Sequence, residues 1–512
     1  MTKNTNKINQ KSEKMTLGKI IATEETPTPT KVHFVTDKDL VDKDQYIKFN
    51  SSQGKVIGRI EDLHKTNRYF DSPESITQIE KTGIEVTDKF PTEEWEHTVG
   101  EVKALGIYKE NKIERPTKPP APGTEVKEPK KEVLRDFLGL EKPGEGLEIG
   151  ELQHHGITSE LSLTDLFQKH LAVLAQTGAG KTYTVSVLME ELLERQPEEG
   201  RIASIVIDVH GEYRSLAQSE RYKNKVKIVN GKDFNIPVRS LDVSDFKKFL
   251  PGMRKPQERE LSSVIEKLRY RDEPYEIEDI IKMISKDDDI HEEVQRVLPR
   301  WLNKIKGDLF SKTGSSVRNL VKPGQLTVLD LSDLIKSKKR GMITSYIAER
   351  LFNARRKEKV PPFVLFVEEA HNFAKEGVEK EENIPKGIIE TISREGRKFG
   401  ASICLVSQRP MKLSTTALSQ CNTQLIMRIT NPNDLDHITK TSEGIDEKSR
   451  DSITTLRVGE SLLLGEAVNH PVFLNIRKRY SEEAELGENL EEQAKKYEEE
   501  INKRSKDAEA FM

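Results

Sequence analysis

The sequence predicts an α/β fold with a largely parallel central sheet, preceded by a small β-barrel and interrupted by a helical insertion. Short continuous apolar runs recur from residue 171 onward with helical patterns between several of them, as expected for parallel strands covered on both faces. Short strand-like pieces separated by turns precede them, and a charged, helical block at 242–322 interrupts the series.

The N-terminal part of the chain predicts a small barrel. Residues 1–15 contain little to bury and are expected to form a disordered tail. Residues 16–115 hold several short strand patterns, which are typical of a small β-barrel. Residues 116–145 follow as a linker that is rich in proline in its first half. The predicted strands of the barrel are Lys19–Thr23, Lys31–Thr36, Tyr46–Phe49, Lys55–Ile60 and Thr98–Tyr108.

The central part, 146–480, predicts the α/β core. We interpret 242–322 as a helical insertion in that core, and 481–512, which Glu, Lys and Arg dominate, as a solvated C-terminal helix. The predicted core strands are 171–175, 203–207, 226–229, 326–331, 363–367, 402–406, 424–429, 461–464 and 472–476.

Composition narrows the class of protein. Charged residues make up 33% of the 512 residues, yet the formal net charge is only −3, which neither indicates nor excludes binding to nucleic acid. The two cysteines, Cys404 and Cys421, stand in apolar surroundings that favour core packing in a reducing compartment. No apolar run approaches the roughly 20 residues of a membrane span. We therefore expect a cytoplasmic protein without a membrane segment.

A phosphate-binding loop is the strongest motif. It runs from Ala175 to Thr182, between an apolar run and an amphipathic helix. Glycine lets backbone N–H groups surround phosphate oxygens at a helix N-terminus, where the helix dipole favours negative charge. Lys181 would reach the β- and γ-phosphates and Thr182 would hold Mg²⁺. The predicted ATP-binding residues are Thr177, Gly178, Ala179, Gly180, Lys181 and Thr182. The sequence therefore predicts a RecA-like P-loop core that binds ATP and Mg²⁺.

Two acidic residues follow the apolar strand 363–367. Glu368 fits the role of holding Mg²⁺, and Glu369 fits the role of polarising the attacking water. Aspartate is more usual at the first of these positions. The alternative is a strand that runs into an exposed acidic helix.

Other polar groups stand near strand ends. Gln408, after the strand 402–406, is a candidate for sensing the γ-phosphate or orienting the water, with a structural turn as the alternative. Arg394 and Arg397 are both candidates for an arginine donated to a neighbouring subunit, or are solvated charges. Asp208, with His210 and Glu212 in one tight turn, favours structural hydrogen bonding over a metal site.

Taken together, the motifs resemble those of HerA, the hexameric DNA-translocating ATPase of the FtsK–HerA branch of P-loop proteins. The matching segments are Ala175–Thr182, Asp208–Tyr213, Val367–His371, Ser393–Gly400, Ser407–Pro410 and Thr430–Asp434, in the family's order over about 160–480. The N-terminal part is similar only in its pattern of short strands and a proline-rich linker.

The resemblance implies a homohexameric ring that threads double-stranded DNA, with Arg394 aligning better than Arg397 with the family's trans-acting arginine. It also implies a NurA-type nuclease partner in processing DNA ends, or another effector in defence against phage. The alternatives are an ATPase that moves protein or DNA in a defence or conjugation complex, and a slowly turning NTP-binding scaffold. The presence of Glu369 disfavours the scaffold, which needs no water-activating base.

Overall fold

The computed structural model describes residues 16–23, 26–37, 40–67, 81, 96–314, 316–379, 382–442, 444–482 and 490–510. The predicted tail, 1–15, lies outside these residues, as do residues 483–489 of the predicted C-terminal helix 481–512. Within the described ranges, no helix is long and apolar enough to cross a membrane.

The secondary structure alternates strands and helices after residue 163. The strands are β1 (Thr16–Ile21), β2 (Lys31–Thr36), β3 (Tyr46–Ser51), β4 (Gly54–Asn67), β5 (Glu96–Lys109), β6 (Lys112–Glu114), β7 (Glu125–Lys127), β8 (Leu147–Leu152), β9 (Ile157–Leu161), β10 (Leu171–Leu174), β11 (Ala203–Asp208), β12 (Val226–Asn230), β13 (Ile236–Pro237), β14 (Phe310–Ser311), β15 (Leu326–Asp330), β16 (Phe363–Val367), β17 (Ala401–Ser407), β18 (Thr423–Ile426), β19 (Glu460–Gly465) and β20 (Val472–Ile476). The helices are α1 (Lys131–Leu138), α2 (Leu163–Phe167), α3 (Lys181–Glu194), α4 (Arg214–Gln218), α5 (Val243–Phe249), α6 (Lys255–Tyr270), α7 (Ile277–Lys286), α8 (Glu292–Ile305), α9 (Ser337–Arg356), α10 (Lys386–Glu395), α11 (Thr415–Leu418), α12 (Pro432–Thr441), α13 (Glu447–Thr455) and α14 (Leu490–Ala510).

The chain divides into two compact units. The first consists of Met1–Thr184 and Thr344–Lys478, and the second of Val185–Ile343 and Arg479–Met512. The predicted fold class is confirmed: a closed N-terminal barrel, parallel strands alternating with helices, and a run of helices within 242–322 are all present.

The first unit begins with the barrel. Its strands follow the order β2-β1-β7-β3-β4-β5, and β5 closes the cylinder by pairing with β2. In β2 alternate side chains are buried, because successive residues of a strand point to opposite faces. Buried aliphatic and aromatic side chains fill the interior, Val32 and Phe34 among them. The structure places β7 inside 116–145, where it pairs with β1 and β3 and so completes the barrel.

Polar contacts attach the barrel to the rest of the first unit. The Tyr46 hydroxyl donates to the Pro471 carbonyl at 2.8 Å, and a nitrogen of the buried Arg59 guanidinium lies 3.3 Å from the Ser449 hydroxyl. Lys103 of β5 forms an ion pair with Asp446, which is the N-cap residue of α13. Burial alone would raise the pKa of Asp446, but its hydrogen bonds, including the one from Lys103, hold that pKa below its ordinary value. The barrel is therefore fixed on α13 and on the turn before β20.

The remaining strands of the first unit form a mixed sheet. β16, β17, β10 and β18 are parallel neighbours in that order, and almost every side chain in them is buried. β19, β20, β8 and β9 extend the sheet with antiparallel pairings. The short β19–β20 and β8–β9 connections explain the antiparallel pairing within each of these two hairpins, since parallel neighbours need a long crossover.

The second unit contains its own parallel strands and the helical segment. β15 pairs in parallel with β12 on one side and with β11 on the other. Helices α5 to α8 lie within the predicted insertion, and each buries an apolar stripe spaced at helical intervals, such as Leu261, Val264, Ile265 and Leu268 in α6.

A buried glutamate ties the start of the C-terminal segment to α3 in the second unit. The Glu190 carboxylate is fully buried and accepts hydrogen bonds from the backbone N–H groups of Tyr480 (3.0 Å) and Ser481 (2.9 Å). It also accepts from the Ser481 hydroxyl at 2.6 Å. The Arg221 guanidinium stacks over the Tyr480 ring at 4.3 Å. These contacts fix residues 480 and 481 against α3.

Glu190→Ala is expected to destabilise the second unit by about 2–3 kcal/mol, because buried donors lose their charged acceptor. Hydrogen exchange of the Tyr480 and Ser481 amides should accelerate, since both donate to Glu190. Glu220→Ala removes an exposed ion pair with Lys223 and serves as the control, with an expected change below about 1 kcal/mol. Unchanged protection of the two amides would contradict this account.

Candidate active site

The phosphate-binding loop lies between β10 and α3, as the sequence predicts. Its start is fixed to the neighbouring strands, because the Ala175 N–H donates to the Ser407 carbonyl and the Gln176 N–H donates to the Arg428 carbonyl. Gly178 and Gly180 adopt φ values of +78° and +95°, which side chains rarely tolerate. Glycines in this conformation are typical of loops whose backbone N–H groups bind an anion.

Charged and polar groups from three segments meet at the start of α3. Lys181 forms hydrogen-bonded ion pairs with both Glu368 and Glu369, the latter at 2.7 Å between Nζ and Oε1. Both acids follow β16, a neighbour of β17, and β17 in turn neighbours β10. Because the strands are parallel, their carboxyl ends lie at one edge of the sheet.

The cluster is buried, and Lys181 is paired with both of its carboxylates. Glu368 is 0% exposed, Glu369 4% and Lys181 6%. Burial alone would lower the pKa of Lys181, but the two carboxylates raise it above its ordinary value. Burial alone would raise the pKa of Glu369, and Lys181 instead holds it below its ordinary value. The Lys181 ammonium thus stabilises the ionised form of Glu369 and is itself held in the charged form.

Gln408 connects the acids to the phosphate-binding loop. Its amide nitrogen donates to Glu369 Oε1 at 2.5 Å, and its amide oxygen accepts from the Thr177 hydroxyl at 2.5 Å. The structure therefore brings Thr177, Lys181, Glu368, Glu369 and Gln408 into one network.

Glu369 has an unusual backbone. Its φ of 50° and ψ of 44° lie in the left-handed region, which costs a non-glycine residue about 1–3 kcal/mol. Such outliers cluster at functional sites, where the surrounding structure holds them in place. The sequence carries no signal for this conformation, because glutamate rarely adopts it.

His371 is a member of the network to which sequence analysis assigned no role. Its Nδ1 lies 3.3 Å from Glu369 Oε2 and 3.1 Å from the Ser407 hydroxyl. The signal available in the sequence was its place in the segment Val367–His371, two residues after Glu369.

The two candidate arginines lie apart from this network. Both are exposed, Arg394 in the last turn of α10 and Arg397 in the turn that follows it. None of the hydrogen bonds or ion pairs described for the cluster involves either of them. Despite burial, the pKa of Glu466 is held below its ordinary value, chiefly by Lys169 and with a small contribution from Arg397.

Asp208, at the end of β11, has the structural role that its tight turn favours. Its carboxylate accepts from the backbone N–H groups of residues 210, 211, 212 and 213 at 2.8–3.3 Å. In the described part of the chain, no group of three or more His, Cys, Asp or Glu side chains has a metal-binding arrangement. Cys404 and Cys421 are buried, and burial raises the pKa of both thiols.

The fold and this network define a P-loop ATPase. Residues 147–351 match the family model described as the central domain of the helicase HerA. The DNA double-strand break repair helicase HerA of Pyrococcus furiosus is 28% identical over 444 residues, which cover 74% of this chain and 78% of that protein. The protein of the same name from Saccharolobus solfataricus is 26% identical over 462 residues, covering 84% and 87%.

The resemblance to HerA that the motifs indicate is thereby confirmed, because the chain is similar to HerA helicases over most of its length. Among solved structures, VirB4 of Thermoanaerobacter pseudethanolicus superposes with a TM-score of 0.53 at 16% identity, covering 67% of this chain and 99% of that one. That likeness is one of fold.

Lys181→Met in the nucleotide-free protein is expected to lower the free energy of unfolding by about 3–5 kcal/mol near pH 7, because two buried carboxylates lose the ammonium with which they are paired. The wild-type pKa of Glu369 is lowered, so the stability that the pair contributes is present above the ordinary carboxyl pKa and is lost as the pH falls through the folded value. The difference between variant and wild type should therefore shrink as the pH falls below about 4.

Thermal unfolding of both proteins across this pH range measures the effect. Lys223→Met, which removes an exposed ion pair, is the control and should leave the midpoint nearly unchanged. A Lys181→Met protein as stable as wild type at every pH would contradict the charge balance described above.

Proposed function

We propose that the protein is an ATP-driven translocase and helicase of double-stranded DNA that works as a homohexameric ring in the cytoplasm. The observation that carries the proposal is the buried network of Lys181, Glu368, Glu369 and Gln408 beside the phosphate-binding loop. This network supplies what ATP hydrolysis requires. The nucleic-acid substrate is supported by the relatives that are named DNA double-strand break repair helicases.

In this proposal the loop 177–182 binds the phosphates of ATP. Backbone N–H groups of Gly178, Ala179 and Gly180 surround phosphate oxygens, and Lys181 leaves its carboxylate partners for the β- and γ-phosphates. The binding is favourable because Lys181 is fully charged, as its raised pKa requires. Gln408, already joined to Thr177 of the loop, is then beside the γ-phosphate.

The donor set also fits Mg²⁺. Thr182 and Glu368 would hold the ion through a hydroxyl and a carboxylate, the hard oxygen ligands that Mg²⁺ prefers in nucleotide sites. Such an ion is bound by one or two protein groups together with phosphates and water, so a larger cage of protein ligands is not required. When bound, Mg²⁺ neutralises charge on the β- and γ-phosphates.

For hydrolysis, Glu369 accepts a proton from the water that attacks the γ-phosphorus, and Gln408 orients that water. Arg394 of a neighbouring subunit neutralises the charge that develops on the transferred group. The exposure of Arg394 at the end of α10 is what a residue donated to another subunit requires.

The partner assignments belong to the same proposal. A NurA-type nuclease, or another effector protein, would act on the DNA that the ring delivers. The alternative function is an ATPase of the same type that moves protein or DNA in a defence or conjugation complex. It retains the ATP site and differs in substrate, so the dependence of hydrolysis on duplex DNA separates the two.

Steady-state ATP hydrolysis by the purified protein, with and without linear duplex DNA, tests the proposal. Duplex should stimulate hydrolysis, and the stimulation should fall with added salt because phosphate contacts release counterions. Glu369→Gln is expected to bind ATP but to hydrolyse it about 100-fold more slowly or worse. Hydrolysis that is indifferent to duplex would favour the alternative, and normal turnover by Glu369→Gln would remove Glu369 from the role of base.

Arg394→Ala is expected to reduce hydrolysis by about 1,000-fold in assembled rings. Mixing it with Lys181→Ala subunits should restore part of the activity, because each variant supplies what the other lacks. Arg397→Ala is the matched control and should hydrolyse ATP at close to the wild-type rate. The trans assignment fails if the mixed rings recover nothing, or if Arg397→Ala is the more damaging change.

A further inference from the structure

The ring of His371 contacts the catalytic carboxylate from the side opposite to Lys181 and Gln408. Those two residues both donate to Oε1 of Glu369, whereas His371 Nδ1 lies 3.3 Å from Oε2. In the proposed ATP complex Lys181 leaves for the phosphates. The carboxylate is then held by Gln408 on one oxygen and by His371 on the other.

The surroundings of the ring determine which nitrogen carries the proton. Nδ1 forms a hydrogen bond with the Ser407 hydroxyl and lies 3.3 Å from Glu369 Oε2. A lone pair on Nδ1 would be repelled by that carboxylate oxygen, so the tautomer with N–H at Nδ1 is favoured. The Ser407 hydroxyl, 3.1 Å from the same nitrogen, accepts the Arg409 N–H at 3.1 Å. Burial lowers the pKa of His371 below its ordinary value despite Glu369, which keeps the ring neutral.

We propose that His371 is a positioning residue for ATP hydrolysis, which orients the Glu369 carboxylate through Nδ1–H and connects it to Ser407 at the end of β17. The backbone of Glu369 is in the strained left-handed conformation, and a strained residue keeps its geometry only where neighbouring groups hold it. The contact with His371 is one of the contacts that hold it. A neutral donor orients the carboxylate without adding a second positive charge, so Glu369 stays basic enough to take a proton. The inference rests on the proposed ATP hydrolysis.

Three substitutions of His371 separate positioning from packing. Asn places an amide N–H close to the position of Nδ1, Gln places the same group one methylene farther out, and Leu fills similar space with no donor. We expect His371→Leu and His371→Gln to lower kcat about 10- to 100-fold, the usual effect of losing such a supporting contact. KM for ATP and the Kd of a non-hydrolysable ATP analogue should change by less than about twofold, since His371 does not contact the loop 177–182 in this proposal. His371→Asn should recover most of kcat.

The outcomes are distinct. If the wild-type protein hydrolyses ATP and His371→Leu has an undiminished kcat, the positioning role is overturned and the proposed function is unaffected. An equal loss of kcat in the His371→Asn and His371→Gln variants also overturns the positioning role. In that case kcat would not depend on where the amide N–H lies, as expected if His371 only fills space. If His371→Leu does not fold, the Asn and Gln pair decides the matter alone. No hydrolysis by wild-type protein, with or without duplex DNA, would instead contradict the proposed function and the inference with it.

Discussion

The ion cluster of Lys181 with Glu368 and Glu369 is the interaction on which the rest of the site depends. The Lys181 ammonium is paired with two carboxylates that are almost wholly withdrawn from water. Buried charges persist only where they are paired and hydrogen-bonded, and Gln408 and His371 supply the remaining contacts to Glu369. The arrangement holds the carboxylates and the phosphate-binding loop in register before any nucleotide arrives.

The same charge balance makes the cluster responsive to a ligand. A triphosphate competes with the carboxylates for Lys181, and the carboxylates then need another cation, which is what Mg²⁺ at Thr182 and Glu368 would provide. Binding thus replaces one set of ion pairs by another rather than burying new charge. In the proposed complex Glu369 would lose its ammonium partner, and its pKa would rise because Lys181 no longer lowers it, which would make Glu369 a stronger base than in the nucleotide-free protein.

Strands with a continuous apolar sequence could be predicted from the sequence. Strands without such a sequence, which form only because they pair with neighbouring strands, could not. β16 and β17 are buried on both faces, so their apolar runs stood out. β7 has only three residues within a proline-rich stretch, and it forms a strand because it pairs with β1 on one side and with β3 on the other. β8 contains glycine and two exposed or half-buried glutamates, and it depends on pairing with β20 and β9.

The candidate site divides in the same way. The loop, the two acids and Gln408 were predicted because each directly follows a strand whose carboxyl end reaches one edge of the sheet. The left-handed backbone of Glu369 and the His371–Ser407 contact could not be predicted, since both arise where β16 and β17 are brought side by side.

The most direct test of the account is the position of Lys181 Nζ in an experimental structure of the protein with a non-hydrolysable ATP analogue and Mg²⁺. We expect Nζ within about 3 Å of a phosphate oxygen, as for a charge-assisted hydrogen bond. The Glu369 carboxylate should remain in contact with Gln408 and His371. A nucleotide bound elsewhere, with Lys181 still paired to both glutamates, would contradict the account.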